Sequence, residues 1–134
     1  MASVVVSENG QGRFGQSIVI GTHQLTADEP LTAGGKDAGP APFDFVLAGL
    51  GACTAMTLRL YAERKKIKLT HIGVALTHDT VEVDGQRRDQ IERTITLEGE
   101  LTPAERQRLL DIANHCPVHR AITQPMLVDT RLSP

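Results

Sequence analysis

A chain of 134 residues that is 40% hydrophobic can form one domain with a real core, and with one Tyr, three Phe and no Trp that core must be mostly aliphatic. A formal charge of -2 argues against a nucleic-acid partner. Met1 to Gly10 carries neither a basic region nor a long apolar run, so a cytoplasmic protein is expected, and two cysteines in such a reducing compartment point away from a purely structural disulfide.

In chain order, Val4, Val5 and Val6 favour a strand over Ala2 to Glu8, and Asn9-Gly10-Gln11-Gly12-Arg13 turns the chain into a second strand, Gln16 to Leu25. Gly and Pro then concentrate between Asp28 and Pro42, a loop too short to be a domain linker. Pro40, Pro42 and Asp44 together predict a helix start. From Phe45 to Leu58 there is no charge, and the face holding Val46, Gly49, Cys53, Met56 and Leu60 is as apolar as the one opposite. A helix of this kind is expected to be buried all round. The uncharged stretch is shorter than the roughly 20 residues a bilayer span needs, so a core helix is expected and no membrane. Gly49 and Gly51 each lower helicity by about 1 kcal/mol relative to alanine, which predicts close approach by another backbone just ahead of Cys53.

Glu63, Arg64, Lys65 and Lys66 suit a solvated helix C-terminus. His71 to Val83 alternates, with Ile72, Val74 and Leu76 on one side. Ile91, Ile95 and Leu97 alternate likewise, and Asp84-Gly85 signals the turn joining two long antiparallel strands. Thr102-Pro103-Ala104-Glu105 is a capping box with proline at the first helical position. Leu109, Leu110, Ile112 and Ala113 supply that helix's apolar stripe. It leads into His115-Cys116-Pro117-Val118-His119-Arg120, and a last strand is expected from Met126 to Leu132. No repeat or second domain is visible, so residues 1–134 read as a single domain.

Without a phosphate loop, a serine nucleophile motif or a carboxylate pair, the chemistry must come from Cys53 and Cys116. Pro117 can open a short helix, which places Cys116 at a helix N-terminus beside His115 and His119, surroundings that activate a thiol. Cys53 lies mid-helix among apolar residues and needs a cation brought from elsewhere. Either cysteine alone is as well explained as a small buried hydrophobe. Cys53, His115, Cys116 and His119 are also four possible zinc ligands, although the adjacency of His115 and Cys116 and the lack of a C-x-x-C count against it. A non-catalytic module holding a small hydrophobic molecule is the third reading.

The helix GLGACTAMTL together with the downstream HCPVHR resembles the OsmC/Ohr family of thiol-dependent hydroperoxide reductases, closest to the OsmC-like branch with ADEP, GPxPxDxxLAxLGACTAMTLR and CPVHR. The resemblance covers about Gly12 to Leu132. It implies an α+β fold in which a strongly bent antiparallel sheet wraps a long buried central helix, and an intertwined homodimer with active sites at the interface. It assigns Cys53 as the peroxidatic cysteine, whose sulfenic acid Cys116 resolves as a disulfide, with a hydroperoxide substrate, an external dithiol reductant and no metal or cofactor. In that scheme a buried Cys53 is protected and a more exposed Cys116 meets the reductant. Arg13, in Gly12-Arg13-Phe14-Gly15, matches the arginine that holds the peroxidatic thiolate. The acidic partner of that arginine falls at Phe43 in this chain. The nearest carboxylate, Asp44, lands on the helix face opposite Cys53 if the helix is regular there, and its minimum role is to favour the helix start.

Overall fold

The computed structural model describes residues 3–134, so the Ala2 end of the first expected strand lies outside the described residues. The chain divides into two compact units, Met1–Val46 and Leu47–Pro134.

The first unit holds a three-stranded antiparallel sheet in the order β1 (Val5–Glu8), β2 (Gln16–Ile20) and β3 (His23–Ala27). The single strand expected over Gln16 to Leu25 is therefore two. Gly21, at φ 60, and Thr22 form a two-residue turn that sets Ile20 opposite His23. An isolated glycine inside an otherwise alternating run was the available signal for this turn.

After β3 the loop is organised by Asp28, only 2% exposed. Its carboxylate accepts the backbone N–H of Glu29 at 2.7 Å and those of Lys36 and Ala38, both at 3.2 Å. The Glu29 N–H foremost, opposed by burial and aided by the other two donors and the Lys36 charge, holds the carboxyl below its ordinary value. Helix α1 (Pro42–Lys65) then begins with proline in its first turn, earlier than Asp44. Asp44 accepts the N–H of Ala41 at 2.9 Å, so its carboxylate satisfies a backbone donor that the helix start leaves orphaned.

In the second unit α1 ends in a Schellman arrangement. Lys66 turns left-handed at φ 55, its N–H donates to Glu63 O at 3.3 Å, and the Ile67 N–H donates to Ala62 O at 2.9 Å. Strands β4 (Leu69–Val83) and β5 (Gln86–Gly99) form the long antiparallel hairpin expected, reversing at Asp84 and Gly85 with φ 51 and 78. Two positive φ values in succession are what a two-residue hairpin turn demands, and Asp-Gly supplies them cheaply. Ile72 faces Leu97, Val74 faces Ile95 and Leu76 faces Arg93. Helix α2 (Pro103–Ala113) carries both capping-box bonds, Glu105 N–H to Thr102 Oγ1 at 3.1 Å and Thr102 N–H to Glu105 Oε1 at 2.9 Å. Leu110 is exposed, so its apolar stripe is narrower than expected. Helix α3 (Pro117–Ile122) follows.

The core joins Leu58 and Ala62 of α1, Leu69 of β4, and Leu109 and Ala113 of α2, with Ile72, Ile95 and Leu97 packed against them. Leu58 and Leu109 are fully buried, each worth about 1.5–3 kcal/mol of transfer free energy. By length and composition α1 is apolar enough to cross a membrane, but this face of it is sealed in protein.

All-round burial of α1 does not hold. Leu50, Thr54, Leu58 and Ala62 form a buried stripe at i, i+4 spacing, whereas Met56 is 71% and Leu60 49% exposed. One chain has the hairpin and α2 to cover one side of the helix, and the other apolar side stays open. The close approach ahead of Cys53 is made at Gly51, where a Cβ would lie 2.8 Å from Leu76 Cδ1, so a side chain and not a backbone fills the space; Gly49 faces open space. The strand expected over Met126 to Leu132 is absent. Among the described residues no strand pairs with this segment, and Met126, Leu127, Val128 and Leu132 are exposed.

Replacing Thr102 with alanine removes the capping acceptor at the start of α2. Urea denaturation followed by circular dichroism is expected to show a loss of about 1 kcal/mol with an unchanged m-value.

Candidate active site

Cys53 is placed by the buried stripe of α1. It precedes Thr54, whose side chain is fully buried, so its own points about 100° round the helix, to the edge of the packed face. There Cys53 is half-buried and lines an open, mainly apolar cleft of ≈ 420 Å³ with Gly49, Ala52, Met56, Thr57, Leu60 and Pro117. A cleft of this size accommodates a small organic molecule.

Cys116 is the N-cap of α3, as Pro117 foretold. Its Sγ accepts the His119 N–H at 3.3 Å, and the residue is 0% exposed. Both thiols are free. The expected environments are thus exchanged: Cys116 is buried and Cys53 is the accessible one. The cap bond folds Sγ back over the first turn of α3, and the open side of α1 leaves Cys53 at a cleft wall. Pro117, adjacent to Cys116, shares that cleft with Cys53.

Sequence reasoning missed Arg93. It stands at an inward position of β5, in line with Ile91, Ile95 and Leu97 and opposite Leu76. Its Nη1 donates to Thr54 Oγ1 at 3.1 Å, and its Nη2 donates to Asn114 Oδ1 at 2.9 Å and to His119 Nδ1 at 3.2 Å. Thr54 in turn donates its hydroxyl proton to Leu50 O at 2.7 Å. Among the described residues no carboxylate pairs with Arg93. A charge interrupting the alternation of an otherwise apolar strand face was the signal that could have found it.

Because a guanidinium only donates, His119 Nδ1 must be the unprotonated nitrogen. Burial first, then the neighbouring Arg93 charge and then His115 hold the His119 pKa below its ordinary 6.5. His115 is turned elsewhere, its Nδ1 donating to Asp111 O at 3.0 Å. Among the described residues no group of three or more His, Cys, Asp or Glu side chains is placed to hold a metal ion, so Cys53, His115, Cys116 and His119 are not gathered as a ligand set here.

Arg13 sits exposed in the β1–β2 turn with its guanidinium 4.8 Å from the Phe14 ring centroid. Asp44 is engaged with Ala41, and among the described residues no ion pair joins it to Arg13.

A long helix bearing one cysteine, a hairpin packed on it, and a second cysteine capping a short helix define an α+β thiol protein of OsmC-like fold. A family model described as "OsmC-like protein" matches residues 34–131, and the chain belongs to that family. Similar solved structures include an OsmC-like protein from Mycoplasma pneumoniae, at TM-score 0.77 and 20% identity over 92% of this chain and 87% of that one. An organic hydroperoxide resistance protein OsmC from Legionella pneumophila matches at TM-score 0.71 and 20% identity over 91% and 88%. An OsmC-like protein of unknown function from Vibrio cholerae matches at TM-score 0.70 and 11% identity over 90% and 92%. No curated protein matches the sequence at a significant level.

A histidine whose pKa is depressed on folding favours the native state above its unfolded value, and that advantage is lost as pH falls from about 6.5 through the folded pKa. An NMR titration is expected to place the His119 midpoint below 6.5, and Arg93→Met to move it back toward 6.5 without reaching it, since burial is the larger cause.

Proposed function

We propose that this protein is a cysteine-based reductase of organic hydroperoxides. The reading is carried by Cys53 lining an apolar cleft whose wall also includes Pro117, the neighbour of Cys116. Membership of the OsmC-like family and its likeness to a structure named for hydroperoxide resistance support it.

In this scheme the Cys53 thiolate attacks the terminal peroxide oxygen. The O–O bond breaks, the alkoxide takes a proton and leaves as alcohol, and Cys53 holds the sulfenic acid. The Cys116 thiolate then attacks the Cys53 sulfur, the S–O bond breaks, the hydroxide takes up the proton that Cys116 gave up and departs as water, and the two sulfurs are joined. An external dithiol reduces the disulfide by two exchanges, becoming a disulfide itself. Apolar walls suit the organic part of the substrate and slow overoxidation. Arg13, by its match to the family arginine, is the proposed cation for the thiolate, and Asp44 is left with the helix start. Because Cys116 is buried at its cap, in this scheme the cap opens before the thiol meets Cys53 or a reductant.

The expected partner is a second copy of the chain. Gly49, Ala52, Met56 and Leu60 form an apolar stripe on the open side of α1, and a second α1 laid against it would close the cleft around Cys53. Light scattering is expected to give a dimer for the wild type and a monomer for Met56→Lys. A wild-type monomer at tens of micromolar would rule the homodimer out.

One equivalent of cumene hydroperoxide should remove two hydrogens from the intact mass of the wild type. Cys116→Ser should gain one oxygen on Cys53, and Cys53→Ser should remain unmodified. Free, unmodified thiols beside persisting peroxide would instead favour the second reading, a cleft that holds an apolar ligand while the cysteines only pack. The apolar cleft lining is the observation that supports it.

A further inference from the structure

Arg93 is an inward-facing charge of β5 whose three acceptors lie on both cysteine-bearing parts of the fold. Thr54 follows Cys53 on α1, while Asn114 and His119 flank Cys116 on either side of its cap. His119 contributes twice, since its ring accepts from Arg93 and its backbone N–H donates to Cys116 Sγ. Moving His119 away to release the Cys116 cap thus strips Arg93 of its His119 acceptor, while Asn114 and Thr54 tie it to the end of α2 and to α1. A half-buried guanidinium left with unpaired donors is costly, and among the described residues no carboxylate forms an ion pair with Arg93.

We infer that Arg93 is a positioning residue that latches the α2–α3 junction to α1 and so keeps Cys116 shut in its cap. Resting on the peroxidase reading, this makes Arg93 the residue that sets when the resolving thiol becomes available. It acts through His119 and Asn114 and touches no reacting atom. Arginine is required because three acceptors in different directions need its planar fork, and lysine, with a compact ammonium, can serve only some of them.

The test needs no peroxide, so it stands even where the peroxidase reading fails. In a Cys53→Ser background Cys116 is the sole thiol, and iodoacetamide can reach it only when the cap opens. Labelling under native conditions is followed by mass spectrometry, with global stability measured in parallel by urea denaturation. Arg93→Met is expected to speed labelling about tenfold or more, beyond what its lost global stability accounts for. Arg93→Lys should fall between, and Asn114→Ala, altered only at an exposed side chain, should show a rise of a few fold. Thr102→Ala, which weakens α2 at its far end, is expected to label no faster than its lost global stability accounts for. Labelling of Arg93→Met at the wild-type rate would overturn the latch, as would a rise in all variants explained by global stability alone. If Arg93→Met fails to fold, Asn114→Ala and Arg93→Lys decide by the same criterion. In the two-cysteine protein, a faster step from sulfenic acid to disulfide in Arg93→Lys than in wild type would show the same latch at work during turnover.

Discussion

The second unit depends on the seam where α1 lies in the β4–β5 hairpin. Gly51 admits the Leu76 side chain, and one helical turn around it Leu50, Thr54, Leu58 and Ala62 form the stripe that the hairpin and α2 cover. Once that stripe is sealed, the rotation of the helix is fixed and every other side chain on α1 has its place. Cys53 is carried to the rim, and Met56 and Leu60 are carried outward. The helix presents one apolar face to its own chain and another to its surroundings, which is why its sequence is apolar all round although its burial is not.

Along this seam polar groups are not random intrusions. Thr54 is fully buried yet satisfied twice, donating to Leu50 O and accepting from Arg93. Arg93 occupies a position that alternation reserves for an apolar residue, and its cost of desolvation is offset by three acceptors drawn from α1, the end of α2 and α3. Such a network is specific in direction where aliphatic packing is not. It ties the two cysteine-bearing segments into one arrangement, and it keeps His119 in the tautomer that accepts from the guanidinium.

The two thiols therefore differ less in sequence context than in what the fold does with them. An apolar helix suggests a sheltered Cys53, and a polar His-Cys-Pro-Val-His-Arg run suggests an exposed Cys116, yet burial is distributed the other way. Sequence context reports the polarity of neighbours along the chain. Burial depends on which side of an element meets another element.

The sequence by itself determined the features whose causes are local. The Thr102–Glu105 capping box, the Asp84-Gly85 turn, the antiparallel pairing it imposes and the Pro117 helix start at Cys116 all arise within a few residues, where backbone preference and a nearby side chain decide the outcome. The paired cysteine motifs likewise pointed to the family. The turn at Gly21, the irregular segment after Thr123, the open face of α1 and the inward Arg93 were decided by tertiary structure. A strand requires a neighbour to bond, a helix face requires a surface to cover it, and a half-buried charge requires acceptors brought from distant parts of the chain. None of these partners can be read from the residues that need them.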